Sequence, residues 1–239
     1  MSSTKTYRMI CMLALSWSGL LQQGFAQTPT DREQALQWFE KQKQFAQGSV
    51  VEQYYLQKAI EADPTFSPAL KEKSVPYNKR GLYAEGFRLL NQAVTADPVE
   101  HLGYRGFVKL YMLRDYEGAL ADFIRLDSLT PNFRDAPWSE DIEHVKGIAY
   151  LMLKKRESAI TSFSDCIRAI SAQSGEDWVD VKVFLYRGIA YLEMAQLELA
   201  LADFNKALEL YPKFSEAWYY KGITFAKMGQ AMESCEALQ

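Results

Sequence analysis

The sequence is poor in the residues on which metal sites, disulfide frameworks and most catalytic centres depend. It has 239 residues but only three cysteines and two histidines. Only two of the cysteines, Cys166 and Cys235, follow residue 26, and two thiols in so long a chain do not make a disulfide framework. His101 and His144 have no partners at metal-ligand spacing. We therefore expect no metal ion and no cofactor, and we expect both histidines to be solvated or to line a groove.

Further absences exclude classes of function. The net charge is only −3 and no block of lysine and arginine is present, whereas nucleic-acid surfaces carry clustered basic residues. No glycine-rich phosphate loop, nucleophile elbow or zinc-binding HExxH motif occurs. We therefore expect neither a nucleic-acid partner nor an enzyme. Glycine and proline are sparse, which favours helices over a turn-rich β fold.

The first 26 residues have the form of a signal peptide. Lys5 and Arg8 make the start basic, and Met9–Leu21 is a run of 13 mostly apolar residues. Gly24–Ala26 then offers small residues where a signal peptidase cuts. A membrane-spanning helix needs roughly 20 residues, so the run is too short to cross a bilayer and we do not expect an integral membrane protein. We expect cleavage near Ala26 and export to the periplasm or outside a bacterial cell; a buried N-terminal helix is the alternative.

The remaining chain repeats itself. Pro64, Pro98 and Pro131 stand 34 and 33 residues apart. Similar segments end in proline at residues 58–64 (KAIEADP), 92–98 (QAVTADP) and 206–212 (KALELYP). Since proline cannot continue a helix, each segment predicts the end of an amphipathic helix.

A second periodic signal lies inside the repeats. Gly147 and Gly188 are each followed twelve residues later by an alanine and after four more by a phenylalanine, Phe163 and Phe204. From Gly106 the first step is thirteen residues, to Ala119. Small residues in mid-helix allow a neighbouring helix to come close, and the aromatic side chain one turn later fills the gap. Each helix pair leaves an apolar face open, which only the next pair can cover.

These residues resemble the tetratricopeptide repeat family. Residues 186–191 (YRGIAY) and 200–207 (ALADFNKA), followed by Pro212, match its pattern closely. The resemblance implies an all-α, right-handed superhelical solenoid of antiparallel helix pairs in residues 27–239. Six repeats are expected, at 31–64, 65–98, 99–131, 132–171, 179–212 and 213–239.

Departures from the pattern carry information. Two long repeats contain inserted tryptophans, Trp138 and Trp178, each expected either to start an extended helix packed on the preceding repeat or to form an aromatic ledge beside a groove. Glu40 and Ser74 replace the small glycine in the first two repeats, and Pro76 is expected to kink the second repeat's first helix or delay its start. The short last repeat predicts an exposed apolar face at this end, where we expect self-association, docking on a partner, or continuation into a longer array.

The resemblance implies a binding role for the concave face, where first helices hold an extended peptide or a partner helix. We expect a non-enzymatic scaffold for protein contacts; a small-molecule or glycan-binding module that uses groove aromatics is the alternative. In some members of the family, a lysine and an asparagine four residues apart on one first helix bind a peptide's terminal carboxylate. Here Val75 stands four residues after Lys71, so this carboxylate clamp is absent. The residues placed in the groove by counting from each glycine are Lys71, Asn78, Phe107, Tyr111, His144, Ile148, Leu185, Ile189, Tyr219 and Ile223.

Overall fold

A computed structural model describes residues 30–239, and the predicted signal peptide lies outside these residues. Within them, twelve α-helices form six consecutive pairs and no strand occurs. The helices are α1 (Asp31–Gln42), α2 (Val50–Ala62), α3 (Ser67–Lys79), α4 (Tyr83–Ala96), α5 (Pro98–Phe107), α6 (Tyr116–Leu129), α7 (Ile142–Met152), α8 (Arg156–Ser174), α9 (Val181–Glu193), α10 (Leu197–Leu210), α11 (Ser215–Lys227) and α12 (Ala231–Ala237).

The repeated prolines mark helix ends as the sequence predicts. Helices α2, α4, α6 and α10 each end two residues before a proline, and Pro98 itself begins α5. Within a pair, the turn between helices passes through a residue with left-handed backbone, such as Lys154 (φ 62°) or Ala195 (φ 58°). Since each of these lies seven residues after its repeat's glycine, the pairs share one turn geometry.

Gly106, Gly147 and Gly188 each lie against a phenylalanine ring of the second helix of their pair, while Gly222 lies against Leu238. A Cβ atom added to Gly147 would lie 2.5 Å from Cε1 of Phe163, and one added to Gly188 would lie 2.6 Å from Cε1 of Phe204. At such distances only glycine fits. The close helix contact predicted from the glycine–phenylalanine spacing is therefore confirmed.

The extra residue of the third repeat is absorbed by a change of helix type. After α5 the chain continues as a π-helix, Val108–Leu113, and the left-handed residue Arg114 comes eight residues after Gly106 instead of seven. A π-helix has one more residue in each hydrogen-bonded turn, so it accommodates an insertion without breaking the helix pair. This explains the spacing of thirteen residues between Gly106 and Ala119.

The apolar core runs through the stack. One continuous cluster of buried side chains extends from Val94 in α4 to Ala217 in α11. The first pairs are packed by smaller, separate clusters, in keeping with their irregular sequence. Helix α3 begins at Ser67 and passes through Pro76 to Lys79, so the predicted delayed start is wrong.

The inserted tryptophans do not begin the helices that follow them. Trp138 and Trp178 lie in separate 3₁₀ turns, Pro137–Ser139 and Glu176–Trp178, so the expectation of extended helices is wrong. Asp141 and Asp180 cap the next helices instead, since their carboxylates accept backbone N–H groups of Glu143 and Lys182. In the part of the chain that the structure describes, no helix has the length and apolarity needed to cross a bilayer.

Candidate functional site

The first three helix pairs and the loop after α6 enclose a cavity of about 770 Å³. Helices α1, α3 and α5, the first helices of successive pairs, form its walls. We call it the aromatic pocket; the side chains that define it are Arg32, Phe39, Lys71, Glu72, Glu100, His101, Tyr104 and Trp138.

Trp138 is held in the pocket by an ordered loop. Its backbone is left-handed (φ 55°, ψ 36°), a conformation that costs a residue other than glycine of the order of 1–3 kcal/mol. Backbone bonds from Ser139 N to Ala136 O (3.0 Å) and from Ile142 N to Asp135 O (3.0 Å) keep the chain in this shape. Such strain persists where the surrounding structure imposes it, and it is common at ligand-binding positions.

Trp138 stacks on α5 but keeps a free surface. Its ring centroid lies 4.9 Å from that of Tyr104 and 5.3 Å from that of Phe107. The loop can approach α5 because Gly103 has no side chain; a Cβ there would lie 3.3 Å from Cβ of Pro137. Even so, 51% of Trp138 is exposed, so an aromatic surface remains available to a ligand. Trp178, by contrast, is 76% exposed and lies outside the pocket.

A lysine completes the aromatic cluster. The Lys71 Nζ atom lies 5.3 Å from the ring centroid of Tyr104 and 5.5 Å from that of Trp138, within the range of cation–π attraction. The same ammonium group forms an ion pair of 2.6 Å with Glu72 Oε1. Lys71 was predicted to face the groove, and the structure places it in the pocket.

Both histidines are buried, so of the two predicted roles, solvated or groove-lining, the solvated one is wrong. His101 is 3% and His144 4% exposed, and the Nε2 atom of each has no hydrogen-bond partner among the described residues. Burial lowers the pKa of both rings below the usual 6.5, although nearby carboxylates such as Glu100 and Glu140 oppose the shift. His101 lines the aromatic pocket, whereas His144 packs between Phe163 and Tyr186.

These lowered pKa values predict acid sensitivity. The unfolded chain binds a proton on each histidine more tightly than the folded protein does. The part of the unfolding free energy that depends on the neutral histidines is therefore fully present above the unfolded pKa of 6.5 and is lost as the pH falls below it. We expect the melting temperature to fall between about pH 7 and about pH 5. His144→Leu should weaken this dependence, since Leu185 occupies the same position in the next repeat. A variant with an unchanged pH profile would contradict this role of His144.

The described residues hold neither a metal-ligand cluster nor a reactive thiol at Cys166. Within residues 30–239, no group of three or more His, Cys, Asp or Glu side chains is arranged to hold a metal ion. Burial raises the pKa of the Cys166 thiol to about 12, so the group stays protonated at neutral pH and is a weak nucleophile.

Comparisons with known proteins agree with this architecture. Residues 181–214 and 204–236 match family models described as tetratricopeptide repeat. Superkiller protein 3 of Saccharomyces cerevisiae is 30% identical over 95 residues, which is 40% of this chain and 6% of that protein. The chain therefore spans a small fraction of that relative's length.

Solved structures extend the likeness over most of the chain. The protein pilF of Pseudomonas aeruginosa has a TM-score of 0.64 and 14% identity, over 87% of this chain and 90% of that one. MamA from Desulfovibrio magneticus has a TM-score of 0.61 and 22% identity, over 72% and 90%. YrrB, described as a TPR protein with an unusual peptide-binding site, has a TM-score of 0.59 and 17% identity, over 76% and 88%. The fold is a tetratricopeptide-repeat solenoid. The all-α solenoid predicted from the sequence is confirmed.

In this tetratricopeptide fold, four of the ten predicted groove positions are wrong. Asn78, His144, Ile148 and Leu185 are buried and do not face an open groove. The Asn78 amide packs on Gly86, where its Oδ1 would lie 2.0 Å from an added Cβ. His144 lies between the rings named above, and Ile148 and Leu185 belong to the continuous core. Asn78 is covered within its own pair, whereas His144 is covered in part by Tyr186 of the next pair.

The other predicted positions are spread along the tetratricopeptide groove. Phe107 stacks on Trp138, while Tyr111 lies in the π-helix and donates a hydrogen bond of 2.5 Å to Glu140 Oε2. Ile189 and Ile223 are half-buried against the core. Tyr219 is exposed and lines a separate cavity of about 440 Å³ near α12. Binding through these residues stays a prediction.

The sequence reasoning missed a repeated ion pair beside the glycine–phenylalanine contact. Arg105 makes two bonds to the carboxylate of Asp122, with Nη2–Oδ1 at 2.6 Å, and Arg187 does the same to Asp203 at 2.7 Å. Each arginine directly precedes the repeat's glycine and each aspartate directly precedes its phenylalanine. These matched positions in two repeats could have predicted the ion pair from the sequence.

Proposed function

We propose that this protein is a non-enzymatic scaffold that binds an extended segment of a partner protein in the aromatic pocket. The observation that carries the proposal is Trp138: a half-exposed ring held by a strained loop over Tyr104, inside a cavity formed by the first helices of three repeats. Rigid aromatic side chains are typical anchors in protein interfaces, since they contribute large contact area and lose little conformational freedom.

Two further points support the proposal. A tetratricopeptide array holds its groove preformed, so little conformational entropy of the receptor is lost when a partner segment binds. YrrB, which shares the fold, is described as having a peptide-binding site. The N-terminal segment, with Lys5, Arg8 and the apolar run to Leu21, supports export, and we place the scaffold in the periplasm or outside the cell of a bacterium.

Peptide selection tests the binding site. A random peptide library is passed over the immobilised protein and, in parallel, over its Trp138→Ala and Trp178→Ala variants. Because a buried interface tryptophan contributes about 2 kcal/mol or more, peptides selected on the parent should bind Trp138→Ala at least about 30-fold more weakly. Trp178→Ala, which removes an exposed tryptophan outside the pocket, should bind them like the parent. Equal melting temperatures of the variants exclude a folding effect.

The exposed part of Trp138 also favours a second candidate function, the binding of a small molecule or glycan that contacts the ring. A glycan array separates the two. Binding of glycans that disappears in Trp138→Ala, with no Trp138-dependent peptide from the library, would favour this candidate over a protein partner.

Self-association through the last repeat stays a prediction. Tyr219, Met232 and Leu238 expose large apolar surfaces at this end of the described chain. Contiguous exposed apolar surface is typical of contact sites.

A further inference from the structure

The aromatic pocket has a surplus of negative charge. Four carboxylates line it, those of Glu72, Asp97, Glu100 and Asp135, against the two cations Arg32 and Lys71. Both cations are already paired: Arg32 Nη1 lies 3.0 Å from Asp63 Oδ2, and Lys71 Nζ lies 2.6 Å from Glu72.

The remaining carboxylates differ in their availability. Asp97 accepts the backbone N–H of Glu100 at 3.1 Å, and Asp135 accepts the hydroxyl of Thr130. The carboxylate of Glu100 has no hydrogen bond or ion pair within residues 30–239 and lies in an exposed residue. An incoming cation would therefore find Glu100 unneutralised.

The aromatic walls already hold a cation. The ammonium of Lys71 is within 5.5 Å of the ring centroids of both Tyr104 and Trp138. Indole is the best of the aromatic side chains at attracting a cation over its face. Half of Trp138 is exposed, so part of the residue remains accessible to a second cation.

His101 adds an unused polar atom without adding charge. It is buried in the lining, and its Nε2 has no partner among the described side chains. Burial lowers the pKa of the ring, which is therefore neutral near pH 7 and keeps one nitrogen able to accept a hydrogen bond. Because the Nε2 atom itself is buried from solvent, His101 contributes a neutral wall to the pocket.

We propose that the partner segment inserts a lysine or arginine side chain into the aromatic pocket, with its cationic group against the exposed part of Trp138 and near the carboxylate of Glu100. This inference rests on the proposed function and names the chemistry of its ligand. An acidic ligand is disfavoured, because Lys71 and Arg32 are neutralised by their own partners and the surplus carboxylates repel an anion.

The test uses the peptides selected on the parent protein that lose binding in Trp138→Ala. These peptides should contain more lysine and arginine, and less aspartate and glutamate, than the starting library. Replacing the critical basic residue of one such peptide by norleucine keeps the apolar stem and removes the charge. We expect this change, and Glu100→Gln in the protein, each to weaken binding by about 3- to 30-fold.

Glu117→Gln is the matched control, since Glu117 is an exposed carboxylate on α6 outside the pocket lining and its variant should bind like the parent. This inference would be overturned if the Trp138-dependent peptides lacked a basic residue. It would also be overturned if neither Glu100→Gln in the protein nor norleucine in the peptide weakened binding. In both cases the proposed function would still stand. A library that yields no Trp138-dependent peptide would overturn the proposed function itself.

Discussion

Replacing Phe204 with alanine is expected to lower the free energy of unfolding by about 3–5 kcal/mol. The side chain is fully buried and lies in the continuous core, against the backbone of Gly188 and with its ring stacked 6.0 Å from that of Tyr220. Removing it leaves a cavity at the contact between the helices of the fifth pair and also at the contact with the sixth. Chemical denaturation followed by circular dichroism measures the loss. Leu199→Ala, an exposed position on the same helix, should lose far less.

The contact between Gly188 and Phe204 is also tested by changing the glycine. Gly188→Leu should cost about 1–3 kcal/mol by overpacking, because even a Cβ atom would lie 2.6 Å from the Phe204 ring. Gly188→Ala combined with Phe204→Leu should be less destabilised than the sum of the single variants, since the smaller side chain leaves room for the methyl group. Additivity within about 0.5 kcal/mol would show that the two residues do not touch.

Replacing Asp203 with alanine is expected to cost about 3–5 kcal/mol, because it leaves the Arg187 guanidinium unpaired between helices. The Asp203 side chain is only 6% exposed and accepts two bonds from Arg187, at 2.7 and 2.8 Å. Burial raises the pKa of Asp203 despite its positive neighbour, which indicates how strongly this environment disfavours an isolated charge. Arg187 also donates to Ser164 of α8, so its orientation matters to two helix pairs.

A double variant separates the attraction between Arg187 and Asp203 from the cost of burying the two charged groups. Arg187→Met with Asp203→Leu should recover most of the stability lost in Asp203→Ala, since apolar side chains of similar volume need no partner. Asp165→Ala is the control: it removes an exposed ion pair with Arg168, which is expected to contribute about 0–1 kcal/mol. If Asp203→Ala and Asp165→Ala cost the same, the buried pair does not stabilise the array.

The repeat architecture was determined by short-range sequence signals. A proline that follows an amphipathic segment marks the end of a helix, although Pro76 lies inside α3, and a glycine opposite an aromatic residue at a constant offset specifies one helix contact. Gly188 with Phe204, and the proline at 212, could therefore be interpreted without knowing their neighbours. The thirteen-residue step after Gly106 was equally visible, but whether a π-helix or a longer turn absorbed it depended on packing against α6.

The candidate site was predicted only in part, because groove exposure depends on the neighbouring repeat. Lys71 and Phe107 lie in or beside the aromatic pocket, as counting from the repeat's small residue indicated. The same counting placed His144 and Leu185 in the groove, where the stacked helices bury them.

Trp138 shows most clearly what only the tertiary structure decided. Trp138 and Trp178 have nearly the same offset in their repeats, yet Trp138 stacks on α5 and Trp178 projects into solvent. The difference lies in contacts between residues far apart in the chain: Gly103 leaves room for Pro137, and Tyr104 and Phe107 offer rings to stack on. Local sequence determined the helices and their pairing, because backbone preference and side-chain volume act within one pair. The pocket arose from how α3, α5 and the loop after α6 meet, and long-range packing alone sets that geometry.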